Sequence, residues 1–195
     1  MTLRRFGWLP LCVMLASCQS HDETSAPATA TTAPVTAASA SATGGDGSLS
    51  QATYSGFGDM RFGMDEAAFR KAWGGELNGA AASGSDCAML APTWARMPPE
   101  LAFMLEHGRF VRYDVRGGKE TAPGGGKVGM DKAQVLALYG TGGTESPAKY
   151  EPGASQLRVE GSGGGVLIFD IGADGKVKAW RVGVTPQIDY VEGCS

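Results

Sequence analysis

The sequence predicts an α+β fold: two tandem units, each a short helix followed by antiparallel strands, with the helices packed on one face of the sheet. Three observations predict it. A helix-start motif occurs twice at a constant offset of 66. Each copy is followed by two strand-like runs around a turn that ends in glycine. Within those runs aromatic and β-branched residues alternate with charged ones, as a half-buried strand requires.

Taken in order, the chain opens with a basic start at Arg4 and Arg5 and an apolar run from Phe6 to Leu15. A run this short cannot span a bilayer, which needs about 20 apolar residues. It suits a signal peptide over residues 1–17, with Ala16 and Ser17 as the small residues before the cut. Leu15-Ala16-Ser17-Cys18 resembles the lipobox of bacterial lipoproteins. That resemblance implies lipidation of Cys18, palmitate included, and cleavage before it. By the same resemblance, Gln19 after the cysteine implies sorting to the outer membrane of a Gram-negative cell; the domain is expected to face the periplasm, with the cell surface as the alternative. Several acyl chains would hold it there, at about 0.8 kcal/mol per buried methylene.

Residues 18–53 are Ala, Thr, Ser, Pro and Gly with almost no large apolar side chain. Such a stretch cannot bury enough surface to offset its ordering entropy. It reads as a disordered tether, reaching roughly 30–35 Å on average. Two folded units are then expected, over residues 54–122 and 123–195.

The repeat aligns Gly63-Met64-Asp65-Glu66-Ala67-Ala68-Phe69-Arg70-Lys71-Ala72-Trp73-Gly74 with Gly129-Met130-Asp131-Lys132-Ala133-Gln134-Val135-Leu136-Ala137-Leu138-Tyr139-Gly140. Asp65 and Asp131 are N-cap residues, able to take a free N–H of the first turn. Asp131 with Gln134 resembles a capping box. Gly74 and Gly140 stand where a helix should stop. The apolar faces are Ala68, Phe69, Ala72 and Trp73 in the first helix, and Val135, Leu138 and Tyr139 in the second.

Strands are expected over 101–106 and 109–115, and again over 166–171 and 176–184, with others at 156–160 and 88–91. Strict alternation puts Val111, Tyr113 and Val115 on one face, opposite Phe110, Arg112 and Asp114. It likewise puts Trp180, Val182 and Val184 opposite Val177, Ala179 and Arg181. The aromatic set should lie under the helices. The arginine set, with Arg158 beside Glu160, should line an open face.

The stretch Lys127 to Gly140 resembles the opening of the SmpA/OmlA domain, the BamE family of outer-membrane lipoproteins. Two such units in tandem resemble the β-lactamase inhibitory protein family. Both families place helices on one face of an antiparallel sheet. The resemblance implies a protein-binding module, either inhibitor-like or serving outer-membrane assembly. A further likeness to two-unit lipoproteins labelled as lectins implies a carbohydrate-binding alternative, although no sugar-binding motif carries it.

Loss of the signal peptide removes Arg4 and Arg5 and no acid, leaving 15 basic against 20 acidic residues. That balance lacks the clustered basic face of a nucleic-acid binder. Of four cysteines, Cys12 leaves with the signal and Cys18 carries lipid. Cys87 and Cys194 remain, an even pair in an oxidising compartment, and should be bonded. Closing a loop of that length stabilises by roughly 4–5 kcal/mol on the chain-entropy view. It would also clamp the C-terminal tail to the first half.

Catalytic motifs fail one by one. His21 lies in the tether, and His107 precedes Gly108 at an expected turn, with no nucleophile or carboxylate placed beside it in sequence. The residues left are too few for a zinc cluster, and no cofactor is expected. Asp170 to Arg181 departs from a calcium loop at Gly172 and at Arg181. Gly124-Gly125-Gly126-Lys127 lacks the first glycine and the Ser/Thr of a phosphate loop, and reads as a flexible connector. The remaining candidates are binding residues. Trp94, Tyr150 and Tyr190 are loop or tail aromatics able to stack on a sugar or anchor a partner. Arg112, Asp114, Arg158 and Arg181 would form a charged patch on the open face. The expected partners are the membrane through the lipid, and an envelope protein or a glycan.

Overall fold

The structure is a computed structural model and describes residues 50–194. The expected signal peptide, the expected lipidation site Cys18 and nearly all of the expected tether fall outside the described residues. Three two-residue strands come first, β1 (Ala52–Thr53), β2 (Gly56–Phe57) and β3 (Met60–Arg61). Helix α1 (Glu66–Trp73) leads to β4 (Leu77–Asn78), β5 (Cys87–Pro92), β6 (Leu101–Glu106) and β7 (Arg109–Val115). Helix α2 (Lys132–Tyr139) leads to β8 (Gly143–Pro147), β9 (Ser155–Glu160), β10 (Val166–Ile171) and β11 (Val177–Gly183). A 3-10 turn, Gln187–Asp189, follows β11, and two others, Gly140–Gly142 and Ser162–Gly164, precede β8 and β10.

The expected α+β arrangement is overturned. The described chain is mostly β, built as one eight-stranded antiparallel sheet in the order β4-β5-β6-β7-β11-β10-β9-β8, beside a three-stranded sheet β1-β2-β3. Each helix is only eight residues long and contributes one fully buried side chain, Phe69 or Val135. These are not separate units of helix laid over sheet. Four strands from each side of α2 join through the β7–β11 pair. The physical reason is that separate sheets would leave β7 and β11 as bare edges, with unpaired N–H and C=O groups.

The repeat survives as hydrogen bonds. Gly63 N–H donates to Phe110 O and Phe110 N–H to Met64 O; Gly129 N–H donates to Val177 O and Val177 N–H to Met130 O. Glu66 N–H donates to Gly108 O, as Lys132 N–H does to Gly175 O. Each motif thus fastens its helix start to the tip of its own hairpin. Ala68 N–H donates to the Asp65 carboxylate at 2.8 Å. In α2 the Gln134 side chain accepts from Asp131 N–H at 2.9 Å, while the Asp131 carboxylate takes Lys176 Nζ at 2.8 Å.

Both hairpins also carry a β-bulge at matching positions. Met104 pairs with Arg112 but Leu105 with Phe110, so Val111 is the extra residue. Asp170 pairs with Ala179 but Ile171 with Val177, so Lys178 is extra. A bulge reverses the alternation on its far side. Strict alternation therefore misplaced Phe110 and Val177, which join Tyr113 and Trp180 in the core. Leu138, expected inward, is 47% exposed.

One face of the sheet carries an aromatic core. Phe103 meets Phe57, Phe69 and Trp73 edge-on, and Tyr113 meets Trp180 at 6.0 Å. Tyr113 donates its hydroxyl to Thr53 O at 2.8 Å, tying β1 to the main sheet. Burial pushes the Tyr113 hydroxyl far above its usual range. The Gly124–Gly126 run, expected as a loose connector, wraps Tyr139 instead. Gly126 N–H donates to the Tyr139 hydroxyl at 3.0 Å, and a Cβ at Gly126 would stand 2.4 Å from the Phe169 ring.

Candidate functional site

The second face of the sheet holds the charged residues singled out from the sequence. Arg112 and Asp114 are two apart on β7, so both side chains leave the same side. Arg112 Nε and Nη2 reach the two oxygens of Asp114 at 3.0 and 2.8 Å. This is the two-pronged geometry in which a guanidinium and a carboxylate match best. Asp114 pairs across strands with Arg181. These positions correspond to one another in the repeat, so the approximate two-fold relation of the halves passes between them. Arg181 Nη1 holds Asp170 at 2.7 Å, and Asp170 in turn accepts from Gln156 at 2.7 Å.

This face is not open. The C-terminal tail crosses it. Arg112 Nη1 donates to the carbonyls of Gln187 at 3.0 Å and Tyr190 at 2.6 Å. Arg181 Nε donates to Ile188 O at 3.0 Å. Arg158, bound to Glu160 at 2.7 Å, reaches Asp189 at 2.5 Å. Ile188 is wholly buried against Val166 and Ile168. Gln187 donates to Glu106, and the Tyr150 hydroxyl to Glu192. Cys194 is joined to Cys87 at the start of β5, with Cα atoms 5.4 Å apart. The expected disulfide is therefore present, and the arginine patch lies beneath the tail that it clamps. Arg112 and Arg181 are 4% and 5% exposed.

Two grooves flank the tail. One, of about 420 Å³, is lined by Cys87, Glu106, Lys149, Tyr190, Glu192 and Cys194, among others. The other, of about 180 Å³, is lined by Tyr150, Gln156, Asp170, Arg181 and Val191, among others. Of the residues expected from sequence, the fold thus gathers Arg112, Asp114, Arg158, Arg181, Tyr150 and Tyr190 around one tail. It leaves Trp94 apart, on the β5–β6 loop past Pro92, at the other end of β5 from Cys87. At 3.2–3.4 Å per residue the length of β5 from Cys87 to Pro92 is roughly 16–17 Å.

Sequence reasoning missed Glu106, Lys149, Gln187, Ile188 and Asp189. A signal for Ile188 existed: an isolated aliphatic residue in a polar tail whose end was already expected to be clamped. His107 has φ 49° and Gly108 φ 67°, the paired positive values of a tight hairpin turn. Its Nδ1 lies 3.3 Å from Asp86, and both side chains are largely exposed. Among the described residues no cluster of three or more His, Cys, Asp or Glu is arranged to hold a metal.

No protein-family model and no curated protein matches the chain. Among solved structures it is similar to the uncharacterised protein yfeY of Escherichia coli, at 16% identity and a TM-score of 0.47, over 69% of this chain and 99% of that one. It is also similar to an extracellular SCP-domain protein of Bacillus anthracis, at 10% identity and a TM-score of 0.43, over 63% of this chain and 44% of the other.

Proposed function

We propose that the chain is a non-catalytic envelope lipoprotein, anchored through Cys18 in the outer membrane and facing the periplasm, that binds another protein through its β5–β6 loop. One observation carries the reading. Trp94 is 60% exposed and Met97 88% exposed, with exposed Arg96 between them. A single exposed apolar residue is ordinary. Trp, Arg and Met close together on one loop are the residue types that anchor interfaces. The charged face offers less to an outside partner, because its guanidinium groups already hold the tail. The BamE-like helix starts favour a partner in outer-membrane assembly; an inhibited hydrolase is the other kind of partner.

Affinity capture from envelope extracts with the detergent-solubilised mature chain tests this. The expected result is one stoichiometric protein that is lost with the Trp94→Ala, Met97→Ala double variant. Capture unchanged by that variant would remove the loop from the reading. Palmitate labelling that persists in Cys18→Ser would remove the anchor.

A carbohydrate reading has one observation in its favour. Tyr150 and Tyr190 stand beside polar grooves whose lining includes Glu106, Lys149 and Glu192. Rings beside carboxylates and an amine suit the two sides of a sugar. Absence of any sugar-dependent signal on a glycan array would eliminate it.

A further inference from the structure

The C-terminal tail is held in a way that describes a ligand. Beyond Val184, whose N–H donates to Val111 O of β7 at 3.0 Å, it pairs with no strand, and the N–H groups of Ile188, Asp189 and Tyr190 bond within the segment from Val184 to Gln187. What the sheet contributes is a set of receptors. Buried guanidinium groups of Arg112 and Arg181 donate to three main-chain carbonyls, of Gln187, Ile188 and Tyr190. An apolar pit of Val166 and Ile168 takes Ile188. Arg158 takes the carboxylate of the next residue, Asp189. Carbonyl recognition is independent of side chains, whereas the pit and Arg158 together select an aliphatic residue followed by an acid.

We propose that this face is a second binding surface, for a short peptide carrying an aliphatic–acidic pair, kept occupied by the chain's own tail and latched by Cys87–Cys194. The proposal does not depend on the β5–β6 loop reading. Two observations support an occupant of this chemistry. Lifting the tail would expose the Arg112 Nη1 and Arg181 Nε donors and the Val166–Ile168 pit to water, and a peptide backbone bearing an aliphatic side chain would cover both again. The latch is also reachable, since both cysteines line the groove of about 420 Å³ and both are half-buried.

Opening needs a dithiol reductant. Its thiolate attacks one sulfur of the pair, the Cys87–Cys194 bond breaks, and a mixed disulfide forms. The reductant's second thiol displaces that bond. Cys87 and Cys194 end as thiols, each with one proton, and the two electrons come from the dithiol, which leaves as a disulfide. The tail competes within the same molecule in both states, and closing the latch fixes its second end and raises its effective concentration beyond what a free peptide matches.

The first test is hydrogen exchange on the whole wild-type chain, oxidised and then reduced by a dithiol. The amides of Ile188, Asp189 and Tyr190 are expected to exchange at least ~10-fold faster after reduction, as a released end does, with β7 and β11 unchanged. Unchanged tail protection, or loss of protection in the tail and sheet together, would overturn the proposal. The second test uses the full chain carrying Cys87→Ser, Cys194→Ser and Ile188→Asp, which frees the tail. A labelled peptide of the sequence Thr185 to Gly193 is expected to bind it saturably, not to bind the oxidised wild type, and to lose at least ~10-fold in affinity on adding Arg112→Gln. No binding, or binding indifferent to Arg112, overturns it. So does light scattering showing that the reduced wild type becomes a dimer by exchanging tails, since the occupant is then a second copy.

Discussion

The two faces of the eight-stranded sheet are covered by different means. One is closed by aromatic side chains from several elements, where Phe57, Phe69, Trp73, Phe103, Tyr113 and Trp180 meet ring to ring. The other is closed by a single strap, through guanidinium-to-carbonyl bonds, one aliphatic side chain and a disulfide. The difference teaches that the faces should respond differently to injury. Loss of an aromatic residue leaves a cavity shared by many neighbours. Loss of a strap contact detaches a segment that no strand needs.

Phe103→Ala should lower unfolding free energy by about 3–5 kcal/mol in chemical denaturation, the range for truncating a buried ring. On the other face Arg112→Met should cost nearly as much, about 3–5 kcal/mol, because it strands the buried Asp114 carboxylate. Adding Asp114→Leu should recover much of that loss. A double variant no better than the single one would mean that the pair is not coupled as its geometry indicates.

Smaller changes sharpen the contrast. Ile188→Ala, with the disulfide reduced, should open the tail to proteolysis while moving the main denaturation midpoint little. Its nominal cost as a buried aliphatic is about 2–4 kcal/mol, but that cost is bounded by the free energy of lifting the strap alone. A full shift of the global midpoint would show the strap to be part of the cooperative core. Asp65→Ala, removing the α1 cap, should cost about 1 kcal/mol. Asp189→Asn, at a half-exposed ion pair, should cost less than about 1 kcal/mol, and less still in high salt.

Much of the local structure was legible. The two GMD motifs mark two helix starts because their residues serve nearby groups: Asp65 caps Ala68, and Gln134 takes the Asp131 N–H. The runs expected at 101–106, 109–115, 156–160 and 166–171 form strands. The two-residue strands β1 to β3, and β4 and β8, were not read, being too short or too polar to show a period. Phe110 and Val177 were assigned to the wrong side because a bulge depends on how two strands register, which neither strand records alone.

For the candidate site, residue types were readable and their state was not. Arg112, Asp114, Arg158 and Arg181 were correctly grouped on one side of a sheet by alternation. Their burial came from the tail that follows Val184, which alternation does not reach.

By itself the sequence determined the repeat, the helix starts, the hairpin turns and the cysteine pair, because each rests on residues close together or on simple pairing. Tertiary structure alone decided that both halves form one sheet, that the helices are minor, and that the arginine face is covered. Those outcomes depend on edges seeking partners and on a tail meeting a distant surface. Neither is written in any local run of residues.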